Sequence, residues 1–341
     1  MEPYYTMNLD NINHAYDLWN THLPDVQVYY AMKCNPHPRI LQRVHEVGIP
    51  FDCASKQEIM DALQWTTPDR ILYANPCKFS SHITYAKEQS VSLTVVDCEC
   101  EMYKMKELYP ECRLLLRIAV NDESSQCQLS SKFGCSMTDV PHLLLLSKEL
   151  NLSLVGFSFH VGSGCIQPSL YYDALLDCHT ATVMAESAGI SIDIIDIGGG
   201  FTKSNFIACS EQVKKGMTLL KGKQFISEVG RFLVEQVTTL YLQVICKKRK
   251  DKRIYYLNDG VYGNLSCKLF DHAKPNYRIT ASGELFESTL YGPTCDSFDI
   301  IEESILLPEL EVGDEIYIED VGAYTNASAT SFNGYTVQDR E

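Results

Sequence analysis

IDIIDIGGGF, residues 192–201, decides how this chain is read. Its first six residues form a strand-like apolar run, and three glycines follow at once. Six comparable runs precede it: Val26–Met32, Ile49–Ala54, Ile71–Ala74, Leu93–Asp97, Arg113–Ala119 and Leu154–Val161. One more, Phe225–Gly230, follows. Such unbroken runs suit parallel strands buried on both faces. Helix-like stretches lie between them, among them Pro38–Val47, Lys56–Gln64 and Ser169–Ser187. Eight strands alternating with helices predict a closed (β/α)8 barrel over residues 12–235. A doubly wound open sheet is the rival. The strand count favours the barrel, as does the glycine turn after the seventh strand, where barrels commonly hold phosphate.

After about residue 235 the texture changes. Strand-like runs recur without long helices: Thr238–Cys246, Arg253–Leu257, Ser266–Phe270, Tyr277–Ala281, Glu287–Tyr291 and Glu315–Ile318. Turn signals such as Asn258-Asp259-Gly260 separate them. An antiparallel β-barrel or sandwich domain is expected, joined by the strand-like Tyr4–Met7, so that it comprises residues 1–11 and 236–341.

Composition excludes several classes of function. A net charge of −15 repels nucleic acid and anionic membranes. The basic run Lys247–Arg253 lies between two strands and reads as an exposed hairpin. The fourteen cysteines are scattered and form no CxxC pair. That pattern predicts reduced thiols in a cytoplasm and neither disulfides nor a metal site. No signal segment or membrane-spanning run is read from the sequence.

Chemistry-bearing residues recur at the ends of the barrel runs, where such folds gather function. Lys33 closes the first run. A lysine there is ordinarily a surface residue with a snorkelling stem, but its amine can also anchor an aldehyde cofactor. His160, at the end of the sixth run, is either a satisfied core histidine or a ring-stacking or acid–base group. Ser163 and Gly164 follow it in a small-residue turn that suits a phosphate. Gly198, Gly199 and Gly200 can converge backbone amides on an anion, though glycine triplets are also plain turns. Glu228 and Arg231, flanking Gly230 after the eighth run, form either a local surface pair or a pyridine-nitrogen partner and a phosphate fork. In the last third Asp271, Cys295 and Asp296 read from spacing alone as ordinary loop residues.

A set of longer stretches adds a resemblance. YYAMKCNP (29–36), FDCASKQE (51–58), YANPCK (73–78), LLLRIA (114–119), SSKFG (130–134) and GFSFHVGSG (156–164) form its first half. IDIGGGF (195–201), LFDHA (269–273), YGPTCDSFD (291–299), GAYT (322–325) and SFNGY (331–335) complete it. In this order they resemble the eukaryotic-type ornithine decarboxylases, pyridoxal 5'-phosphate enzymes of the alanine-racemase-like fold. The resemblance implies that Lys33 is the Schiff-base lysine, Glu228 the partner of the pyridine nitrogen and His160 the stacking histidine. It implies phosphate contacts from Ser163, Gly198, Gly199, Gly200, Gly230, Arg231 and Tyr324, with Asp52 and Arg117 near Lys33 and the ring. Cys295 would protonate the intermediate from across a homodimer interface. Asp271 and Asp296, with Phe270 beside them, would bind the distal amine of an amino-acid substrate, and Lys132 and Asp299 would pair between subunits.

The activity implied is decarboxylation of L-ornithine to putrescine in polyamine biosynthesis. The alternatives are the same mechanism on L-arginine or L-lysine, and a catalytically inactive regulator like the antizyme inhibitors. Aspartate at 271, where compact arginine-preferring relatives carry glutamate, favours ornithine, and the full set of catalytic residues disfavours the regulator. Two departures stand out: Val229 occupies a position usually held by proline, and Phe270 one often held by tyrosine. The chain is also short at both ends relative to longer members, without a C-terminal degradation tail.

Overall fold

The computed structural model describes residues 2–122 and 125–339. The barrel strands are β1 (Val26–Ala31), β2 (Phe51–Cys53), β3 (Ile71–Tyr73), β4 (Leu93–Val96), β5 (Arg113–Arg117), β6 (Ser153–Ser158), β7 (Ile194–Asp196) and β8 (Gln224–Val229). All pair in parallel, β8 on β1 and β6 on β7, and close the barrel. Seven of the eight strands are shorter than the apolar runs that announced them, and β8 matches its run in length, shifted by one residue; the last residues of most runs already turn into the loops that carry chemistry. The helices Pro38–Glu46, Lys56–Ala62 and Ser169–Ser187 stand where the sequence expects them.

The barrel interior follows from the two-residue period of a strand. Tyr29, Leu72, Leu93, Val95, Leu115, Ile194 and Ile226 form one buried apolar cluster. Two residues on from Leu115, Ile194 and Ile226, on the same faces, come Arg117, Asp196 and Glu228. An apolar layer thus carries a polar layer directly above it. Gly156 belongs to the lower layer, where a Cβ would stand 2.2 Å from the Ile194 carbonyl oxygen. Val229 is buried and paired in register with Tyr30, so the valine continues a ladder position in which proline has no N–H to offer.

Beneath the 73–78 stretch lies a buried ion pair. The Lys78 ammonium sits 2.9 Å from Glu101, whose other carboxylate oxygen takes Lys104 at 2.6 Å. Lys78 also donates to the Asn75 and Val95 carbonyls, at 3.0 and 2.7 Å. All its donors are spent inside the fold, which makes this lysine structural. Glu101→Ala leaves a buried ammonium without its partner and is expected to cost about 3–5 kcal/mol of stability, read as a fall in the urea midpoint.

The chain forms two compact units, Asn13–Leu233, which holds the barrel, and a second of Met1–Ile12 with Val234–Glu341. In the second unit Tyr4–Met7 pairs antiparallel with Thr238–Arg249, and the Tyr4 ring stacks on Tyr241 at 4.8 Å. Its sheet has eight strands. Leu240, Leu242, Val244, Leu257, Leu290, Ile316 and Ile318 build its core from alternate positions.

The sheet is mostly antiparallel as expected, with Arg253–Leu257 pairing in parallel with Leu285–Tyr291. Two expectations are corrected here. Ser266–Phe270 is helical: the helix Cys267–Phe270 continues a 3-10 turn over Asn264–Ser266. Ile300–Pro308 is an additional strand. Among the described residues no helix is long and apolar enough to cross a membrane.

Candidate active site

Lys33 lies in the 3-10 turn Met32–Cys34 directly after β1 and is exposed, while Met32 and Cys34 on either side are buried. Asp52 is on β2 in register with Ala31. The helix after β2 starts with a capping arrangement: Ser55 Oγ accepts from the Glu58 amide at 3.2 Å, and Glu58 accepts from the Ala54 amide. Arg117 and Ser158 end β5 and β6 opposite each other, and Ser158 stands opposite Asp196 at the end of β7. Glu228 is on β8, opposite Tyr29.

These groups form one electrostatic cluster. Burial, reinforced by the Glu228 carboxylate, holds the Asp52 carboxyl well above the usual carboxylate range, with Lys33 and Arg117 opposing. Burial, Glu228 and Asp52 raise Asp196 in the same way. Burial lowers the Arg117 guanidinium, and Glu228 and Asp196 work against it. Burial, then Arg117 and Lys33, push the His160 imidazole well below its ordinary value, so the ring is neutral at pH 7. Its Nδ1 accepts from the Gly162 amide at 3.0 Å, which leaves the proton on Nε2.

The glycine turn is built to present amides. Gly198 has φ +62°, and a Cβ there would lie 2.2 Å from the Phe159 carbonyl oxygen. A Cβ on Gly199 would lie 2.6 Å from the Glu228 carbonyl oxygen. Neither position accepts a side chain. The carbonyls of the turn are all occupied. Gly198 O accepts from Ser227 Oγ and the Glu228 amide, at 2.6 and 3.0 Å. Gly199 O accepts from the Tyr171 hydroxyl at 2.8 Å, and Gly200 O from Asn205 Nδ2 at 3.0 Å. Among the described residues the amides of Gly199 and Gly200 donate to nothing. Beside the turn, Arg231 Nη2 donates to Ser163 Oγ at 3.3 Å. Two open amides, a hydroxyl and a guanidinium make a phosphate cradle. Phe201 stacks on Tyr171 at 4.6 Å behind it.

Buried polar atoms without partners mark where a ligand fits. Asp52 Oδ2, Arg117 Nη2 and Ser158 Oγ are buried and make no hydrogen bond. Unpaired buried groups of this kind are costly in a finished fold. A ring bearing a phosphate and polar substituents, seated on the polar layer, answers both them and the cradle. Among the described residues no group of His, Cys, Asp and Glu is arranged to hold a metal ion.

Of the expected site residues, Lys33, Asp52, Arg117, His160, Ser163, Gly198, Gly199, Gly200, Glu228, Gly230 and Arg231 all lie at the C-terminal ends of barrel strands or just beyond. Ser158 and Asp196 were missed by the sequence reading. The parity of their strands identifies them, since each lies two residues beyond an inward position.

The remaining candidates lie in the second unit, except Lys132. Cys295 is exposed, with its amide donating to Asn333 Oδ1 at 3.0 Å. Asp296 accepts from the Tyr262 hydroxyl and from the Phe298 amide, and these bonds hold its carboxyl below the usual range. The Tyr262 ring stacks on Phe332 at 4.5 Å. Tyr262, Thr294 and Phe332 line, among others, a cavity of about 390 Å³. Asp271 is buried just after the Cys267–Phe270 helix, and Phe270 is 70% exposed. Tyr324 has a positive φ of 57°.

Lys132 lies over the Phe133 ring at 4.9 Å, and Arg117 over the same ring at 5.2 Å. Asp299, expected to pair with Lys132 between subunits, is 1% exposed in the single chain and accepts from the Val261 amide at 2.9 Å and from the amide and hydroxyl of Thr294 at 3.0 and 2.7 Å. The 124–131 segment, whose Ser124 lies outside the described residues, includes the strand Ser125–Cys127, which pairs with Ser163–Cys165.

Comparison with known proteins gives a consistent picture. Residues 9–235 match the pyridoxal binding domain of pyridoxal-dependent decarboxylases. The chain is 41% identical to an ornithine decarboxylase of Schizosaccharomyces pombe, over 98% of this chain and 82% of the relative. Among solved structures, the arginine decarboxylase of Paramecium bursaria Chlorella virus superposes with a TM-score of 0.95 at 32% identity, covering 100% of this chain and 96% of that one. A lysine/ornithine decarboxylase from Vibrio vulnificus, complexed with putrescine, gives 0.92 at 31% identity, over 99% of this chain and 94% of the other.

Proposed function

The chain belongs to the pyridoxal-dependent decarboxylase family, and from that premise we propose that it converts L-ornithine to putrescine and carbon dioxide, the committed chemistry of polyamine synthesis. The observation that carries the reading is the barrel-end cluster: Lys33, Asp52, Arg117, His160 and Glu228 around one polar layer, with an amide cradle beside it. When bound, pyridoxal phosphate supplies the electron sink for the carbanion that decarboxylation leaves. Lys33 provides the amine that holds the cofactor. Glu228 would pair with the pyridine nitrogen, and neutral His160 would stack on the ring. Gly199, Gly200, Ser163 and Arg231 bind the phosphate, with Tyr324 as a further contact. Cys295 returns a proton to the substrate α-carbon, and Asp271 and Asp296 hold the distal ammonium. The protein works as a cytoplasmic homodimer with shared sites, a compartment that suits its fourteen free thiols.

Two observations favour ornithine over arginine or lysine. The relative from Schizosaccharomyces pombe, at higher identity than the solved arginine and lysine/ornithine enzymes, is named an ornithine decarboxylase. The buried carboxylate at 271 is also the shorter aspartate. The test is carbon dioxide release from ornithine, lysine, arginine and diaminopimelate by protein supplied with pyridoxal phosphate. Ornithine is expected to react fastest. Faster arginine turnover would overturn the substrate, and no release from any of them would overturn the activity. Asp271→Ala is expected to raise the KM for ornithine about 10–100-fold, the value of one charge-assisted contact, with a smaller change in kcat.

A further inference from the structure

Asp196 has no role in the reaction as described so far. It is 0% exposed, and its Oδ1 accepts from the Gly198 amide at 2.9 Å. Its Oδ2 is also buried and receives no donor. The group nearest in chemical consequence is another acceptor, the carboxyl of Glu228 on the neighbouring strand. Glu228 stands two residues beyond Ile226, the register partner of Asp196, and so shares its face one layer up. A fully buried carboxyl beside a partly buried one is stabilised by a proton between them. The other groups that feel Asp196 are Asp52 from β2, Arg117 from β5, Tyr29 from β1 and Cys178 from the Ser169–Ser187 helix. Three carboxyls, Asp52, Asp196 and Glu228, with Glu58, Asp97 and Asp122 also acting on the cluster, thus face two cations, Lys33 and Arg117. Carboxyl groups outnumber cations, and Asp196 is the deepest of the first three.

We propose that Asp196 is a positioning residue whose carboxyl stays protonated and donates to a carboxyl oxygen of Glu228, holding Glu228 aimed at the pyridine nitrogen. This rests on the role of Glu228 given above. Gly198 fixes one oxygen of Asp196 from below, so the donated hydrogen bond has a single direction. Asparagine reproduces both bonds: its carbonyl accepts from Gly198 and its amide donates to Glu228. Alanine reproduces neither.

The test compares holoenzyme of the wild type, Asp196→Asn and Asp196→Ala. In wild-type minus D196N difference infrared spectra at neutral pH, a protonated-carboxyl carbonyl band that shifts in heavy water is expected. D196N is expected to keep kcat within about threefold. D196A is expected to lose about 10–100-fold in kcat with little change in KM, the scale on which removal of a supporting hydrogen bond reads out, and to shift the pH dependence of the visible cofactor band. A missing carboxyl band would overturn the proposal and assign Asp196 to an ion pair with Arg117 instead. D196N as impaired as D196A, or D196A unimpaired, would overturn it as well. Should D196A fail to fold, the infrared spectrum and D196N decide. Wild-type turnover of ornithine, measured in the same series, separates failure of this inference from failure of the assigned activity, because the infrared band needs no turnover.

Discussion

Lys33→Ala protein is expected to fold like the wild type, to lack the visible absorbance of bound cofactor, and to turn over ornithine about ten-thousand-fold more slowly, the scale set by loss of a covalent nucleophile. Folding is spared because Lys33 is itself exposed, while Met32 and Cys34 on either side carry the packing of the turn. The effect on turnover is large because the other cation of the polar layer, Arg117, has no exchangeable amine and stays charged. Kinetics with added pyridoxal phosphate, together with the visible spectrum, make the check. Activity within tenfold of wild type would remove Lys33 from the chemistry and reduce it to the surface lysine that its position also allows.

Mixing two inactive proteins gives the second large effect. Lys33→Ala and Cys295→Ala homodimers, each nearly inactive, are expected to regain about a quarter of wild-type activity after subunit exchange. Random reassortment makes half the dimers mixed, and each mixed dimer has one intact site of two. The shared site is supported by what the second unit leaves exposed. The helix Cys267–Phe270 that precedes Asp271 and the loop that carries Cys295 present Leu269, Phe270 and Phe298, at 56%, 70% and 81% exposure. Apolar surface beside polar groups of this kind marks a place where another protein surface sits. Activity that stays at the sum of the parents after exchange would show that each chain is complete by itself.

The barrel was legible because strands buried on both faces leave unbroken apolar runs, and IDIIDIGGGF shows the strand and its turn in ten residues. The second unit was less so. Ile300–Pro308 (IIEESILLP) carries two glutamates and a serine at its centre and breaks the apolar pattern. Ser266–Phe270 has a strand's composition, but the preceding 3-10 turn already commits the backbone to helical dihedrals. Among site residues, Lys33 and Glu228 announce themselves as charges at the ends of apolar runs. Asp196 does not, because Asp193 sits three positions earlier in the same run and only strand parity separates the inward aspartate from the outward one. Asp271 and Cys295 could be singled out only by resemblance, since nothing local distinguishes them from ordinary loop residues.

The buried Asp299 carboxylate has a consequence for how this sequence can drift. Its hole is walled by glycine: a Cβ on Gly260 would stand 2.2 Å from Asp299 Oδ1, and one on Gly292 2.3 Å from both carboxylate oxygens. Neither glycine can gain a methyl group while the aspartate stays. The aspartate cannot leave alone either, because its departure strands the Val261 and Thr294 donors in a cavity. Positions 260, 292 and 299 therefore evolve as one character. Single substitutions at any of them are closed, and a lineage that changes one has to cross a less stable intermediate to change the others.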